Sequence, residues 1–531
     1  MAGPLVATRG ATVVEWLASQ VQALVAAVDS LFQWLVGTAD GRSTYAVARW
    51  VFLRALGMIY LIAFVSFWVQ VRGLIGSQGI LPAQEYLRAV KASIGPARYR
   101  VVPTVFWLQA GDTALQLACA LGVVCAALLV SSVAPVVSLV LLWVLYLSLV
   151  TVGRNFLAFQ WDVLLLEAGF LAIFFAPGHL LPGRTLEPPV SATVLFLLWW
   201  LLFRLTFQSG IVKVSWGDPT WHNLTALDFH FYTQPLPTWV AWYAQQLPAW
   251  FKKLSVLGTY VLEIGFPLLI FGPRSVRLVA FAGIVFLQLL IFATGNYNFF
   301  NLLTLALACL LIDGAGWGWV LPNRFLQGFA PSGAAGGLAL GMLRTGLAAL
   351  VLVVSCVKFW QNLSPRAYPP AFARLLGWVD PFRSVNSYGL FRVMTTSRPE
   401  IIIEGSDGAR IWLAYAFKYK PGDVSRRPGF VEPHQPRLDW QMWFAALSRY
   451  ELTPWFQAFL ARLLEGSPAV LGLLQRNPFP RHLPTYIRAQ LYEYRFTTLE
   501  ERRATGAWWS RRLVGPYSPV VWLVASVPTG L

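Results

Sequence analysis

The chain predicts a polytopic α-helical membrane protein of about nine transmembrane helices, with a C-terminal α+β extramembrane domain. Three observations predict this. Of 531 residues, 57% are hydrophobic and only 12% charged, whereas a soluble domain carries about 25% charged residues. Apolar runs of bilayer length recur between residues 48 and 362, enough to cross a hydrocarbon core of about 30 Å. Beyond Trp360 the pattern changes, and Pro, Arg, Trp and Tyr crowd in.

Residues 1–44 form an N-terminal segment with no cleavable signal. Within it Trp16, Leu17, Val21, Leu24, Val28, Leu31, Phe32 and Leu35 recur at helical spacing. The segment is too polar for a clear span. An interfacial helix is preferred to one packed on the bundle. Spans are expected near 48–71, 107–130, 133–152, 156–176, 190–212, 254–272, 276–294, 299–320 and 341–362, making a bundle over 45–365. The Gly/Ala/Pro-rich segment 322–340 reads as a loop. Residues 380–531 read as the separate domain. There IIIEG (401–405), a Ser-Asp-Gly turn and ARIWLAYAFKYK (409–420) suggest a β-hairpin. A further strand is expected over 487–498. WQMWFAAL and PWFQAFLARLLEGSPAVLGLLQ, between these strands, look helical.

The net charge is +17, without long Lys/Arg blocks or a nucleic-acid-binding module. Nucleic acid is therefore not an expected partner. Basic residues beside a bilayer face anionic headgroups instead, so membrane lipid is. Cys119, Cys125, Cys309 and Cys356 all fall in apolar runs without a C-x-x-C. That argues against a disulfide framework or a zinc site, and no cofactor or metal is expected. Seven of the 41 basic residues are Lys, and Ala, Val and Gly abound. This composition points to a GC-rich bacterial genome and hence a bacterial plasma membrane. Nine spans would leave the two ends on opposite faces. Loop charge, dominated by Arg72, Arg88, Lys91, Arg98 and Arg100, would put the C-terminal domain on the cytoplasmic side.

Ionisable groups at membrane depth face the bundle interior and pair. Asp162 and Glu167 lie in FLAFQWDVLLLEAGFLAIFFA (156–176), and Arg204 lies in the next span. They either line a polar cavity or fix packing, as a Glu167–Arg204 ion pair would. Lys213 ends that span. It either snorkels or, if desolvated, acts as a base. His222, Asp228 and His230 follow, at a spacing that fits no standard metal pattern. In RRPGFVEPHQPRLDWQMWFAAL (426–447), His434 and Asp439 suggest an acid/base pair to which Glu432 contributes. The alternative is a loop held by Arg–carboxylate pairing, with Trp440 and Trp443 packed beneath, and Arg437 is a further candidate. No G-x-S-x-G elbow accompanies them. In GNYNFFN (295–301), between two apolar runs, Asn296, Asn298 and Asn301 either satisfy the backbone of a helix–helix turn or line a polar cavity.

Several long strings carry a resemblance. These are FQWDVLLLEAGFLAIFFAP (159–177), FRLTFQSGIVKVSWGDPTWHNLTALDFHFYTQPLP (203–237), GNYNFFNLLTLALACLLIDG (295–314), VNSYGLFRVMTTSRPEIIIEGSDG (385–408), FKYKPGDVSRRPGFVEPHQPRLDWQMWFAAL (417–447), NPFP (477–480) and LYEYRFT (491–497). Together they resemble the lipase maturation factor family, over most of the chain from about residue 45 on. The resemblance implies a multipass membrane protein that helps secreted lipases fold and assemble, with no established catalytic residues. In eukaryotic relatives it implies the endoplasmic reticulum membrane, a lumenal C-terminal domain and a client exported protein such as a lipase. That orientation overrides the loop-charge count. On this reading Trp412, Trp440, Trp443 and Trp455 offer an aromatic surface to the client. The transmembrane half is also similar, more distantly, to the vitamin K-dependent carboxylase group. That likeness implies a membrane enzyme with Lys213 as base.

Overall fold

The computed structural model describes residues 5–39, 44–181, 189–322, 326, 329, 337–363 and 369–523. The membrane part begins with α1 (Leu5–Val36), α2 (Ala46–Trp68), α3 (Asp112–Val130), α4 (Pro135–Leu157), α5 (Gln160–Phe175) and α6 (Ala192–Ser215). It continues through the short α7 (Ala226–Thr233), α8 (Ala249–Phe271), α9 (Arg274–Thr294), α10 (Phe300–Leu311) and α11 (Leu338–Leu363). Among the described residues seven helices are long and apolar enough to cross a membrane: α2, α3, α4, α6, α8, α9 and α11.

The expected count of nine full spans is not met. Each expected span contains a helix, but α5 and α10 are short. The 16 residues of α5 reach about 24 Å and α10 about 18 Å at 1.5 Å per residue, less than the hydrocarbon thickness. The apolar runs misled because part of each is not regular α-helix. Residues 154–157 form a 3₁₀ turn before α5, and α10 ends in the 3₁₀ turn Cys309–Leu311, with only the short helical turn Gly314–Trp317 beyond it.

The first helix is also corrected. α1 packs on α6 and α11 rather than lying free in the interface. Phe32 and Val36 are buried, and the Phe32 ring lies 5.1 Å from Phe196. The expected loop at 322–340 falls largely outside the described residues.

The C-terminal part holds a four-stranded antiparallel sheet. Its strands are β1 (Pro399–Ser406), β2 (Leu413–Ala414), β3 (Tyr486–Phe496) and β4 (Trp509–Pro516), in the order β2-β1-β3-β4. Alternation along β1 and β3 turns Ile401, Ile403, Ile487 and Ala489 into the core. The expected hairpin is present, but its second strand is only two residues long. Helices α12 (Arg437–Ala446) and α13 (Pro454–Leu464) cover the sheet. Trp440, Trp443 and Trp455 are buried among them. The expected aromatic surface is therefore corrected, because these indoles build the core. Trp412 is half-buried under the Arg488 guanidinium, 4.1 Å from the ring.

Candidate functional site

Two buried polar regions stand out. The first is a seam between the bundle and residues 386–441. Asp162, in the first turn of α5, takes a two-pronged bond from Arg437 at 2.6 and 2.8 Å. Tyr146 of α4 donates to the same carboxylate at 2.5 Å, and Arg437 also donates to the Phe156 carbonyl at 3.0 Å. Planar guanidinium against carboxylate is the strong geometry for a dry pair. One turn further along α5, Glu167 meets Arg204 of α6. Its other oxygen accepts from the Asn386 backbone (2.7 Å), the Asn386 amide (3.0 Å) and the Tyr388 hydroxyl (2.8 Å). Arg204 donates on to the Asn386 carbonyl at 2.8 Å. Both carboxylates are thus filled from outside the bundle as well as within it.

The seam continues past α2. Gln70 accepts from the Arg437 backbone and donates to the Gln435 carbonyl, at 2.9 and 2.8 Å. Ser66 bonds the Gln435 backbone at 2.8 Å and the His434 ring at 2.9 Å. Burial, helped by Arg437 and Lys418, pushes His434 down to about 4, so its ring is neutral at pH 7. Asp439 faces the other way and accepts from the Tyr419 and Lys420 backbones at 2.8 and 2.9 Å. His434 and Asp439 therefore serve different partners, and the expected acid/base pair does not form. Trp440 packs edge-on against Trp161, 4.7 Å away.

GNYNFFN belongs to this seam. Asn296 donates to the carbonyls of Leu236 (3.0 Å) and Gly429 (2.9 Å), and accepts from the Val431 backbone at 2.7 Å. Asn298 sits at φ +55° and accepts from the next N–H at 2.5 Å. Asn tolerates this left-handed region better than most residues. Asn301 donates to Glu432 at 3.5 Å, and the Tyr297 backbone donates to the same oxygen. The amides do satisfy backbone, but chiefly that of a distant segment rather than of the helix they precede.

The second region is a cavity of about 430 Å³. Lys213 faces it and bonds Glu263 at 2.5 Å and the Ser209 carbonyl at 2.9 Å. It does not snorkel. Glu263 sits in a π-helical turn of α8, Val261–Gly265. Such turns interrupt an α-helix most often at functional positions. Gly210 lets α6 close on this turn, since a Cβ there would stand 2.8 Å from that of Glu263. His230 lines the cavity too, and burial and the Lys213 charge push it down to about 4. Asp162, Glu167 and the three asparagines do not line it. His222 bonds the Val214 carbonyl, and Asp228 pairs with Lys252 at 2.8 Å.

Sequence reasoning missed Glu263, Asn386, Tyr388 and Gln70. Glu263 had a signal, a lone acid in an apolar run 50 residues after a lone lysine. The others are ordinary polar residues whose partners are remote in sequence.

This arrangement defines a multipass membrane protein with a folded C-terminal module locked into its bundle by buried charges and amides. Matches to known proteins make the class specific. Residues 47–319 match the family model of the lipase maturation factor transmembrane domain, and 384–519 that of the lipase maturation factor C-terminal domain. Lipase maturation factor 2 of Gallus gallus is 39% identical, over 89% of this chain and 81% of the relative. Lipase maturation factor 2 of Homo sapiens is 38% identical, over 89% and 82%. Lipase maturation factor 1 of Bos taurus is 35% identical, over 90% and 89%. No solved structure matches. The chain belongs to the lipase maturation factor family. These relatives lend the carboxylase reading of Lys213 no support.

Proposed function

We propose that this protein is a membrane-embedded maturation factor that assists the folding and assembly of secreted lipases, or of exported proteins like them. Its membrane is the plasma membrane in a bacterial cell, or that of the endoplasmic reticulum in a eukaryotic one. The bundle, 45–365, is the anchor. The module, 380–531, is the working part on the exported side, where a client is still immature. The observation that carries this reading, together with family membership, is the seam. Asp162–Arg437 and the Glu167 cluster hold the module in one pose against the bilayer. In that pose Ile411, Leu452 and Trp522 remain exposed, at 75%, 72% and 57%. Exposed apolar groups on a rigid support suit a client with uncovered apolar surface. The reading needs no chemistry from the protein itself.

The test is a secreted lipase expressed in cells deprived of their own family member. Restoring this chain should restore the specific activity of the secreted lipase, and the lipase should co-purify from detergent. Lys213→Ala should leave rescue nearly intact, while Arg437→Ala should abolish it. Rescue by a chain truncated at residue 380 would sink the proposal, as would its loss on Lys213→Ala at unchanged protein level.

A further inference from the structure

The cavity beside Lys213 has a second character that the seam lacks, and its polar groups point to an occupant. Its volume, about 430 Å³, lies in the range of about 300–1,000 Å³ that holds a small organic ligand. Most of its wall is apolar, drawn from α6, α7, α8, α9, α10 and Leu390–Phe391. Phe251, Phe286 and Leu290 both line it and are exposed, at 40%, 55% and 47%. They lie on spans that are among the least enclosed by protein, so the mouth opens sideways onto lipid. A ligand entering there partitions first into the bilayer.

The inner end discriminates by charge. Two cations line the cavity, and each is already neutralised. Lys213 is held by Glu263 at 2.5 Å and Lys252 by Asp228 at 2.8 Å. The neutral His230 adds no charge at pH 7. A charged headgroup would therefore enter a low-dielectric site with no counter-ion left for it. Hydrogen-bonding capacity remains, however. The Oε1 atom of Gln288, a residue only 5% exposed, is buried without a partner and lines the same cavity. The His230 ring has edge-on aromatic neighbours, Phe231 and Phe391, but no hydrogen bond among the described residues. A buried polar atom left unmatched asks for a donor. An uncharged hydroxyl supplies one.

We propose that this cavity binds an uncharged, single-chain amphiphile with a hydroxyl-bearing head, of the monoacylglycerol or long-chain alcohol class. The tail lies between α8 and α9, and the head reaches Gln288 and His230. The site borders the seam at Tyr297 and Phe300 but does not depend on any client.

The experiment uses the full-length protein in phosphatidylcholine nanodiscs and a photoactivatable monoacylglycerol. Labelling should saturate and map to peptides within residues 249–294. Unlabelled monoacylglycerol should compete at least about tenfold better than lysophosphatidate of the same chain length, the gap set by about 1.4 kcal/mol per decade. A Cβ added at Gly258, on the cavity wall, meets open space. Gly258→Phe should therefore fill the site without strain and cut labelling about tenfold. If that variant fails to fold, Gln288→Leu with His230→Phe decides, with a loss of about fivefold or more expected from the missing hydrogen bonds. Non-saturable labelling, equal competition by lysophosphatidate, or unchanged labelling in a folded cavity variant would each overturn the proposal.

Discussion

The Asp162–Arg437 pair and the Lys213–Glu263 pair are both buried ion pairs at membrane depth, yet they are built differently. At Asp162 both carboxylate oxygens are used, by the two prongs of Arg437 and by Tyr146. The partners come from α4, α5 and the module, with Arg437 275 residues from Asp162 in sequence. At Lys213 the pair joins neighbouring spans and abuts open volume. The first is a rivet, because both carboxylate oxygens are bonded by protein side chains from separate parts of the chain. The second neutralises itself and leaves its surroundings able to take a ligand. Burial of charge alone does not say which role a pair has. What else meets its polar atoms does.

That contrast can be broken experimentally. The largest effect is expected from Asp162→Ala, which strands Arg437 in a dry seam at a cost of about 3–5 kcal/mol. Thermal unfolding in detergent should drop sharply, and limited proteolysis should release the module from the bundle. Pairing Asp162→Leu with Arg437→Met should restore most of that loss, because an apolar pair of similar volume removes the stranded charge. Next comes Glu167→Gln, which keeps the shape but replaces the bonds from Arg204, Asn386 and Tyr388 with weaker neutral ones, at about 1.5–3 kcal/mol. Lys213→Met should cost less, about 1–2 kcal/mol, since it removes a single hydrogen bond from a Glu263 side chain that is 11% exposed, whereas Asp162 is fully buried. A loss at Lys213 equal to that at Asp162 would erase the distinction between rivet and site.

The smallest effect is one of pH. Burial raises the Glu432 carboxyl from its ordinary 4.5 to about 8. Its folded form holds a proton that the unfolded form has released, so stability falls as pH rises through that interval and levels off above it. His434 works with the opposite sign between about 4 and 6.5, which leaves 6.5–8 as the clean window for Glu432. Glu432→Gln should flatten the melting temperature across that window. An unchanged slope would show that the GNYNFFN contact does not sense the carboxyl.

How much of this was legible varies residue by residue. Glu167 and Arg204 could be paired in advance, because both lie inside apolar helices and an unpaired charge there is costly. Asp162 could be flagged but not paired. Its partner lies in the module, and nothing in the sequence ties Arg437 to a carboxylate 275 residues away. The short lengths of α5 and α10 were hidden for a similar reason. Hydropathy counts apolar residues without knowing which are helical, and Phe156, Leu157 and Phe159 before α5, like the residues after Leu311, count the same as span residues. Trp440 and Trp443 read either as packed beneath their loop or, with Trp455, as a client-facing surface, and the packing of the module on the bundle buries all three.

The sequence alone determined that this chain lives in a membrane, that its last third is built differently, and which family it resembles. Those properties rest on composition and on local strings, which need no neighbours to be read. Only the tertiary structure decided which charge meets which, that Asn296 of GNYNFFN stitches to Gly429 and Val431, and where a cavity remains. A hydrogen bond depends on distance in space, and side chains more than a hundred residues apart are brought together only by the packed fold.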